Sequence, residues 1–148
     1  MAETLGSLCD KLTIVKLKQW HSEDAARLQS LGLQEQQLCG EIDEFVAGAV
    51  SGAIPAARLT FAANKVYKSE GNEVQAITGA VGAVFSQLAV VNCSLWHDQE
   101  KVYEFERVPS EGKDAVVKQL ALLNLQRNKC IDRIDRLLKD TLESRPRS

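Results

Sequence analysis

The sequence predicts an all-α protein, a four-helix-type bundle that forms one domain over residues 1–148. Apolar residues recur at spacings of three, four and seven through long stretches, which is the period of amphipathic helices. Only three prolines interrupt those stretches, Pro55, Pro109 and Pro146. Of the 148 residues, 45% are hydrophobic and 26% are charged, as in ordinary globular domains. A chain of this length can bury a core without disulfides or metals.

The first half of the chain predicts two helices. Thr4 suits an N-cap, so the first helix is expected over residues 5–30, ending where Leu31-Gly32-Leu33 breaks the pattern. The second helix is expected over residues 34–50, before Ser51-Gly52. Residues 55–68 allow either a short helix or an irregular crossover.

The second half predicts two longer helices. Asn72 with Gln75 three positions later resembles a capping box, and no breaker follows before Pro109. A helix is therefore expected over residues 73–107. After a turn at 110–113, the last helix is expected over residues 114–143.

The chain also contains an apparent internal repeat. Its only tryptophans and histidines form two identical dipeptides, Trp20-His21 and Trp96-His97, which are 76 positions apart. A second register, shifted by 92, pairs Leu31 with Leu123, Ile42 with Ile134 and Asp43 with Asp135. These matches predict a duplicated helical hairpin with halves at 4–50 and 72–143, joined by a crossover at 51–71. Chance coincidence between amphipathic helices is the alternative.

The first predicted helix is apolar on two sides. One side carries Leu5, Leu8, Cys9, Leu12, Val15 and Trp20, and the opposite side carries Ile14, Leu17, His21 and Leu28. Such a helix must lie between other helices or in a subunit interface. A symmetric homodimer is one economical way to cover both sides.

Several polar residues stand on stripes that are otherwise apolar. Burying them without partners would be costly, so they should meet each other, a ligand or water. We interpret them as a candidate pocket that holds an anionic or hydroxyl-rich small molecule. The alternative is a polar network that only fixes helix register. The candidate residues are Lys16, Asn92, Asn124 and Arg127, with Trp20 and Trp96 as walls and Asp135 as the nearby acid.

The two histidines allow a weaker metal hypothesis. His21 with Asp24, and His97 with Glu100, each place an imidazole and a carboxylate three positions apart. Dimetal bundles use Glu-x-x-His with further inward glutamates, and here the order is reversed. No metal site is favoured on this pattern.

A metal-dependent nucleotide pyrophosphohydrolase of the all-α type is the main enzymatic alternative. Such enzymes place carboxylates at E-x-x-E and E-x-x-D spacings to hold Mg²⁺. Glu41 and Glu44 fit the first half of that pattern, whereas Glu70 and Glu73 form only a distorted second half.

Several other classes are disfavoured. The sequence pI of about 5.7 argues against a dedicated nucleic-acid binder. There is no Walker A motif and no Gly-x-Ser-x-Gly, and no cofactor is predicted. No signal peptide or membrane-length apolar run is evident, so a cytoplasmic protein without membrane insertion is expected. The four separate cysteines are expected to be small core residues.

Three short stretches carry a family resemblance. They are Leu5 to Ile14 with Trp20-His21, Asn92 with Leu95-Trp96, and Asn124 to Asn128 with Ile131-Asp132 and Ile134-Asp135. They resemble a family of uncharacterised all-helical bacterial proteins, the domain of unknown function 4254 group. The resemblance implies an all-helical fold and, for some members, an association with polysaccharide or glycosyltransferase genes. It implies no activity. It adds weight to Asn92, Asn124 and Arg127 as a set.

Overall fold

The computed structural model describes residues 2–61 and 73–145. Within these ranges the chain contains four α-helices and no strand, which confirms the all-α prediction. The helices are α1 (Leu5–Trp20), α2 (Ala25–Ser51), α3 (Val81–Tyr103) and α4 (Ser110–Glu143). Short 3₁₀ turns stand at Ala56–Arg58 and Phe105–Arg107. No helix in the described ranges is both long and apolar enough to cross a membrane.

The boundary between α1 and α2 differs from the predicted one. Thr4 caps α1 as expected, because its side chain accepts the Ser7 N–H while the Ser7 hydroxyl accepts the Thr4 N–H. However, α1 ends at Trp20, and Asp24 caps α2 by accepting the Arg27 N–H at 3.2 Å. The predicted boundary at residue 30 therefore lies too late in the chain. The capping carboxylate of Asp24 marks the start of α2.

Helix α2 continues through the segment that was expected to interrupt it. Leu31 is buried there, so packing outweighs the cost of about 1 kcal/mol that Gly32 imposes on helix propensity. The helix ends at Ser51, one residue beyond the predicted end, because Gly52 has a φ of 86°, the left-handed conformation that terminates helices.

Helix α3 begins later than predicted. Residues 73–80 are not helical, and Gly79 has a φ of 105°, which a right-handed helix cannot contain. Asn72, the expected cap, lies outside the described residues. Helix α4 begins at Ser110, directly after Pro109, and so includes the residues expected to form a turn.

Helix α1 lies between α2 on one side and the α3–α4 hairpin on the other. Toward the hairpin, Leu5 and Cys9 pack with Val84, Leu88, Cys130 and Ile134; toward α2, Leu8 and Val15 pack with Leu31 and Leu38. Helix α1 is therefore sandwiched within one chain, as predicted, and the pattern no longer requires a dimer. The residues that meet its two neighbours all come from one predicted side, however. On the opposite side, Ile14 and Leu17 are half-buried, His21 is exposed and Leu28 lies on α2, so the division into two opposite apolar sides was wrong.

The prediction that the four cysteines are core residues is confirmed for two of them. Cys9 and Cys130 are buried, and burial raises the pKa of the Cys9 thiol to about 11. Cys39 and Cys93 are exposed, so the prediction of core residues was wrong for these two.

One bound of each helix pair agrees with the shifts of the proposed repeat, and the other does not. Helices α1 and α3 begin at Leu5 and Val81, which are 76 positions apart. Helices α2 and α4 end at Ser51 and Glu143, which are 92 positions apart. The ends of α1 and α3, Trp20 and Tyr103, are 83 positions apart, and the starts of α2 and α4, Ala25 and Ser110, are 85 apart. Duplication of the hairpin stays a prediction, since similar bounds do not establish common descent.

Candidate functional site

A buried carboxylate joins three helices. Asp10 of α1 is 3% exposed and accepts two bonds from Arg127 of α4, from Nε at 2.8 Å and from Nη2 at 2.5 Å. It also accepts a bond from Nδ2 of Asn92 in α3, at 2.9 Å. This bidentate geometry is the strong form of a charge-assisted hydrogen bond. The carboxylate therefore fixes the positions of both polar side chains.

Asn92 is fully buried and only half satisfied. Its Nδ2 donates to the Thr13 hydroxyl at 2.7 Å as well as to Asp10. The Thr13 hydroxyl in turn donates to the Asp10 backbone carbonyl. The other end of the amide, Oδ1, is buried without a hydrogen-bond partner. An unpaired buried acceptor costs about 1–3 kcal/mol, so it calls for an explanation. We call Asp10, Thr13, Asn92 and Arg127 the Asp10 network.

Arg127 is fixed in position by Asp10 but keeps some of its hydrogen-bond donors free. The hydrogen bonds that its guanidinium donates to Asp10 raise the pKa of that group above the ordinary value, so it stays charged. Its side chain is 33% exposed, and the two bonds to Asp10 use two of its five N–H groups. The remaining N–H groups are available to a ligand.

The Asp10 network forms part of a groove between α1, α3 and α4. Its volume is about 440 Å³. We call it the Asn92 groove, and it is lined chiefly by Ile14, Asn92, Leu95, Trp96, Asn124 and Arg127. Gln99, Glu100 and Tyr103 also line it. Apolar walls with a few polar groups are typical of small-molecule sites.

The two Trp-His dipeptides meet at the side of this groove. His21, at the end of α1, stacks on Trp96 with ring centroids 4.7 Å apart and an interplanar angle of 20°. Its Nδ1 donates to the Leu17 carbonyl at 2.8 Å, which fixes the ring. The stack holds Trp96 in place, whereas Trp20 is 86% exposed.

Lys16 and Trp20 lie apart from the other candidate residues. They line a second groove between α1 and α3, of about 650 Å³, together with Leu12, Leu17, Phe85 and Cys93. We call it the Trp20 groove. The Lys16 ammonium pairs with Glu35 of α2 rather than with any residue of the Asp10 network. The predicted pocket is therefore divided, and Asn92, Trp96, Asn124 and Arg127 are the members that the fold brings together.

Asp135 lies at a third place, where α4 meets the start of α1. It is 4% exposed and accepts the Gly6 N–H at 2.7 Å and a hydrogen bond from the Thr4 side chain. Burial raises its pKa to about 6 despite these bonds, and Asp132 adds to the rise. A Cβ at Gly6 would come within 2.4 Å of the Ile131 carbonyl oxygen, so only glycine permits this approach. The role of Asp135 is to hold the N-terminus of α1.

The metal candidates do not assemble. His21 ends α1 and Asp24 caps α2, so the expectation that they share one helix face was wrong. His97 and Glu100 are both exposed on α3. Glu41 and Glu44 lie on α2, Glu73 lies before α3, and Glu70 falls outside the described residues. Across residues 2–61 and 73–145, no group of three or more His, Cys, Asp or Glu side chains is arranged to hold a metal ion.

Asp10 is the functional residue that sequence reasoning missed. It stands four positions before Ile14 and seven before Leu17, on the same side of α1 as His21. A carboxylate on that apolar stripe was the available signal, since a partly buried Arg127 needs an acidic partner.

The chain matches no known family model, no curated protein and no solved structure. The functional argument therefore rests on the geometry of the described residues.

Proposed function

We propose that the protein is a non-enzymatic small-ligand-binding module whose site is the Asn92 groove. The observation that carries this proposal is Oδ1 of Asn92, which is buried and unpaired while Nδ2 of the same amide is fully used. Most buried polar side chains are satisfied within their network. Nε of Arg133 is also buried and unpaired, but Arg133 does not line the Asn92 groove, whereas Asn92 does. A ligand that donates a hydrogen bond to Oδ1 would satisfy the remaining acceptor of the Asp10 network.

The rigidity of the groove supports the proposal. Asp10 fixes Arg127 and Asn92, and His21 supports Trp96, so the binding groups are ordered before a ligand arrives. Preorganised groups lose little conformational entropy on binding, which favours affinity.

The chemistry of the lining favours binding over catalysis. Among the described residues that line the Asn92 groove, there is no histidine, cysteine, serine or threonine. The lining therefore lacks the Ser–His and Cys–His pairs of nucleophilic catalysis. Among these described residues Glu100 is the single carboxylate, whereas glycoside hydrolysis uses a pair of carboxyl groups.

The competing hypothesis is that the Asp10 network only fixes helix register. Asn124 separates the two hypotheses, because it lines the groove and is exposed, while its side chain makes no bond to Asp10. Its replacement by alanine should leave stability nearly unchanged and weaken ligand binding.

The test is saturation-transfer NMR with a library of small polar molecules on the wild type, Asn124→Ala and Asn128→Ala. Asn128 is one turn further along α4 and does not line the groove, so it is the matched control. We expect ligands that bind the wild type and Asn128→Ala but lose binding in Asn124→Ala. Equal binding to all three variants would contradict the proposal.

Self-association is a second proposal. It is favoured by the 86% exposure of Trp20 beside the apolar Trp20 groove, since a large exposed aromatic residue often marks an interface. Sedimentation velocity should then give a homodimer that Trp20→Ser converts to a monomer. A monomeric wild type at tens of micromolar would exclude it.

The cellular setting also stays a proposal. The family resemblance implies a bacterial protein with a role near cell-surface polysaccharide biosynthesis, and we propose that this role is cytoplasmic. Detection of the tagged protein in fractionated cells tests the placement.

A further inference from the structure

We propose that the ligand of the Asn92 groove is a neutral, hydroxyl-rich small molecule of the sugar or polyol class, and that the groove discriminates against anions. This inference rests on the proposed ligand-binding function and adds the chemical class of the ligand. It follows from three features of the groove: an acceptor that lacks a donor, neighbouring donors that remain free, and the sum of the local charges.

The first feature is the buried acceptor. Oδ1 of Asn92 can be satisfied only by a group that donates a hydrogen bond. The amide cannot turn over to remove this demand, because Nδ2 must face the Asp10 carboxylate, which only accepts. An ionised phosphate or carboxylate also only accepts, so it cannot satisfy Oδ1. The ligand must carry an O–H or an N–H.

The second feature is the set of donors around the same groove. Arg127 has N–H groups beyond those bound to Asp10, and the Asn124 and Gln99 amides each carry two more. These groups require acceptors on the ligand. An ammonium group donates without accepting, so it would leave them unmet. A hydroxyl donates and accepts, and adjacent hydroxyls would serve both kinds of group.

The third feature is the charge around the groove. Asp10 neutralises the positive charge of Arg127 through the bidentate pair, and Glu100 adds a carboxylate to the lining. The groove is therefore negative by about one charge overall, although it contains an arginine. Like charges repel more strongly in a partly enclosed site than in water, so an anion is disfavoured. Of the two ligand classes expected from the sequence, anionic and hydroxyl-rich, the local charge therefore favours the hydroxyl-rich one.

The apolar walls agree with a ring-shaped polyol. Ile14, Leu95 and Trp96 present hydrocarbon and aromatic surface between the polar groups. A pyranose has C–H faces and a hydroxyl rim, which fit alternating apolar and polar surface. A volume of about 440 Å³ holds a molecule of monosaccharide or disaccharide size.

The experiment follows the two indole N–H signals of the ¹⁵N-labelled full-length protein. Trp20→Phe assigns them, and Trp20 serves as the internal control because it lies outside the Asn92 groove. The probes are methyl glycosides of glucose, galactose, mannose and xylose. Each hexose is also tested as its 6-phosphate, and every glycoside is tested fully O-methylated, which removes all donors and keeps the acceptors.

We expect at least one neutral glycoside to shift the Trp96 signal without shifting that of Trp20. Its phosphorylated form should bind at least about tenfold more weakly at low salt, and its O-methylated form should not bind. Glu100→Gln should remove most of the difference in affinity between the neutral and the phosphorylated form. Glu111→Gln is the matched control, since Glu111 does not line the groove.

The outcomes separate this inference from the proposed function. Tighter binding of the phosphorylated probe, or equal binding of the O-methylated one, overturns the ligand class while the binding site stands. If no probe shifts Trp96, and the polar library used above also gives no ligand sensitive to Asn124→Ala, then both proposals fail. Binding of neutral glycosides that survives Asn124→Ala and Asn92→Leu would place the ligand elsewhere and also overturn the inference.

Discussion

The two helical hairpins place different polar pairs at corresponding positions. By the shifts of 76 and 92, Lys16 corresponds to Asn92, and Glu35 corresponds to Arg127. In the α1–α2 hairpin, Lys16 pairs directly with Glu35, and their side chains are 57% and 29% exposed. In the α3–α4 hairpin, Asn92 and Arg127 do not pair with each other but both bind Asp10.

The difference comes from what covers each hairpin. Helix α1 packs along the α3–α4 hairpin and delivers Asp10 to it, whereas the Lys16–Glu35 pair remains at the surface. An exposed ion pair contributes at most about 1 kcal/mol, because water competes for both charges. A charge that is cut off from water depends on its partner far more strongly. Because the Asp10 side chain is only 5% exposed, its bonds to Arg127 and Asn92 matter both for stability and for the candidate site, whereas the Lys16–Glu35 pair contributes little.

The largest effect is expected when the buried ion pair between Asp10 and Arg127 is broken. Arg127→Ala leaves Asp10 buried without its cation, so the free energy of unfolding should fall by about 3–5 kcal/mol. Glu35→Ala, at the corresponding exposed position, should lower it by less than about 1 kcal/mol. Urea unfolding measures both. Equal losses would mean that the two hairpins do not differ in the way described.

The next effect concerns Asp135 and pH. Because its pKa is raised from 3.8 to about 6, the folded protein binds this proton more tightly than the unfolded chain does. The carboxyl therefore makes the free energy of unfolding decrease as the pH rises from about 4 to about 6, by up to about 3 kcal/mol. Asp135→Asn should remove that decrease, measured by urea unfolding across this range.

Asp43→Asn is the control for this measurement, since Asp43 is the exposed residue at the corresponding position of α2. A wild type whose stability relative to Asp135→Asn is constant from pH 4 to 7 would contradict the burial of this carboxyl.

A third comparison uses two glycines at the second residue of α1 and α3. Gly6→Ala should destabilise by about 1–3 kcal/mol, because its Cβ meets the backbone of Ile131. Gly82→Ala has open space around it and should be neutral or stabilising by up to about 1 kcal/mol. Thermal unfolding of the two variants measures both changes in stability. Destabilisation by Gly82→Ala of similar size would remove the asymmetry between the hairpins.

The smallest expected effect is the difference in stability between variants of the two histidines. His21→Ala removes the stack on Trp96 and should cost about 0.5–1.5 kcal/mol. His97→Ala, at an exposed position, should change stability by less than about 0.5 kcal/mol. Trp96 fluorescence in a Trp20→Phe background reports the loss of the stack directly. An unchanged emission spectrum after His21→Ala would argue against it.

Much of the fold could be predicted from the sequence, because periodicity is a local property. The four helices and the position of α1 between other helices follow from spacing, and the Thr4 cap follows from residue type. The helix ends were harder, since Asp24 and Gly79 act through a cap and a backbone conformation rather than through periodicity. Gly32 was misjudged because tertiary burial of its neighbours outweighs its own propensity.

The candidate site was predicted in part for a similar reason. Asn92, Asn124 and Arg127 stood out as polar residues on apolar stripes, and the fold brings them to one groove with Trp96. Lys16 occupies the corresponding repeat position but faces α2, which only the packing of α1 decides. Asp10 was hidden because a single carboxylate near a helix start is common on surfaces, and its burial depends on contacts distant in sequence.

The most direct test is a crystal structure of the protein saturated with the glycoside that most strongly shifts Trp96. We predict a ligand hydroxyl within 2.6–3.2 Å of Oδ1 of Asn92, with Arg127 still bound to Asp10 through Nε and Nη2. A ligand seated instead beside Trp20, or an Asn92 groove that holds only water with the ligand elsewhere, would contradict the account.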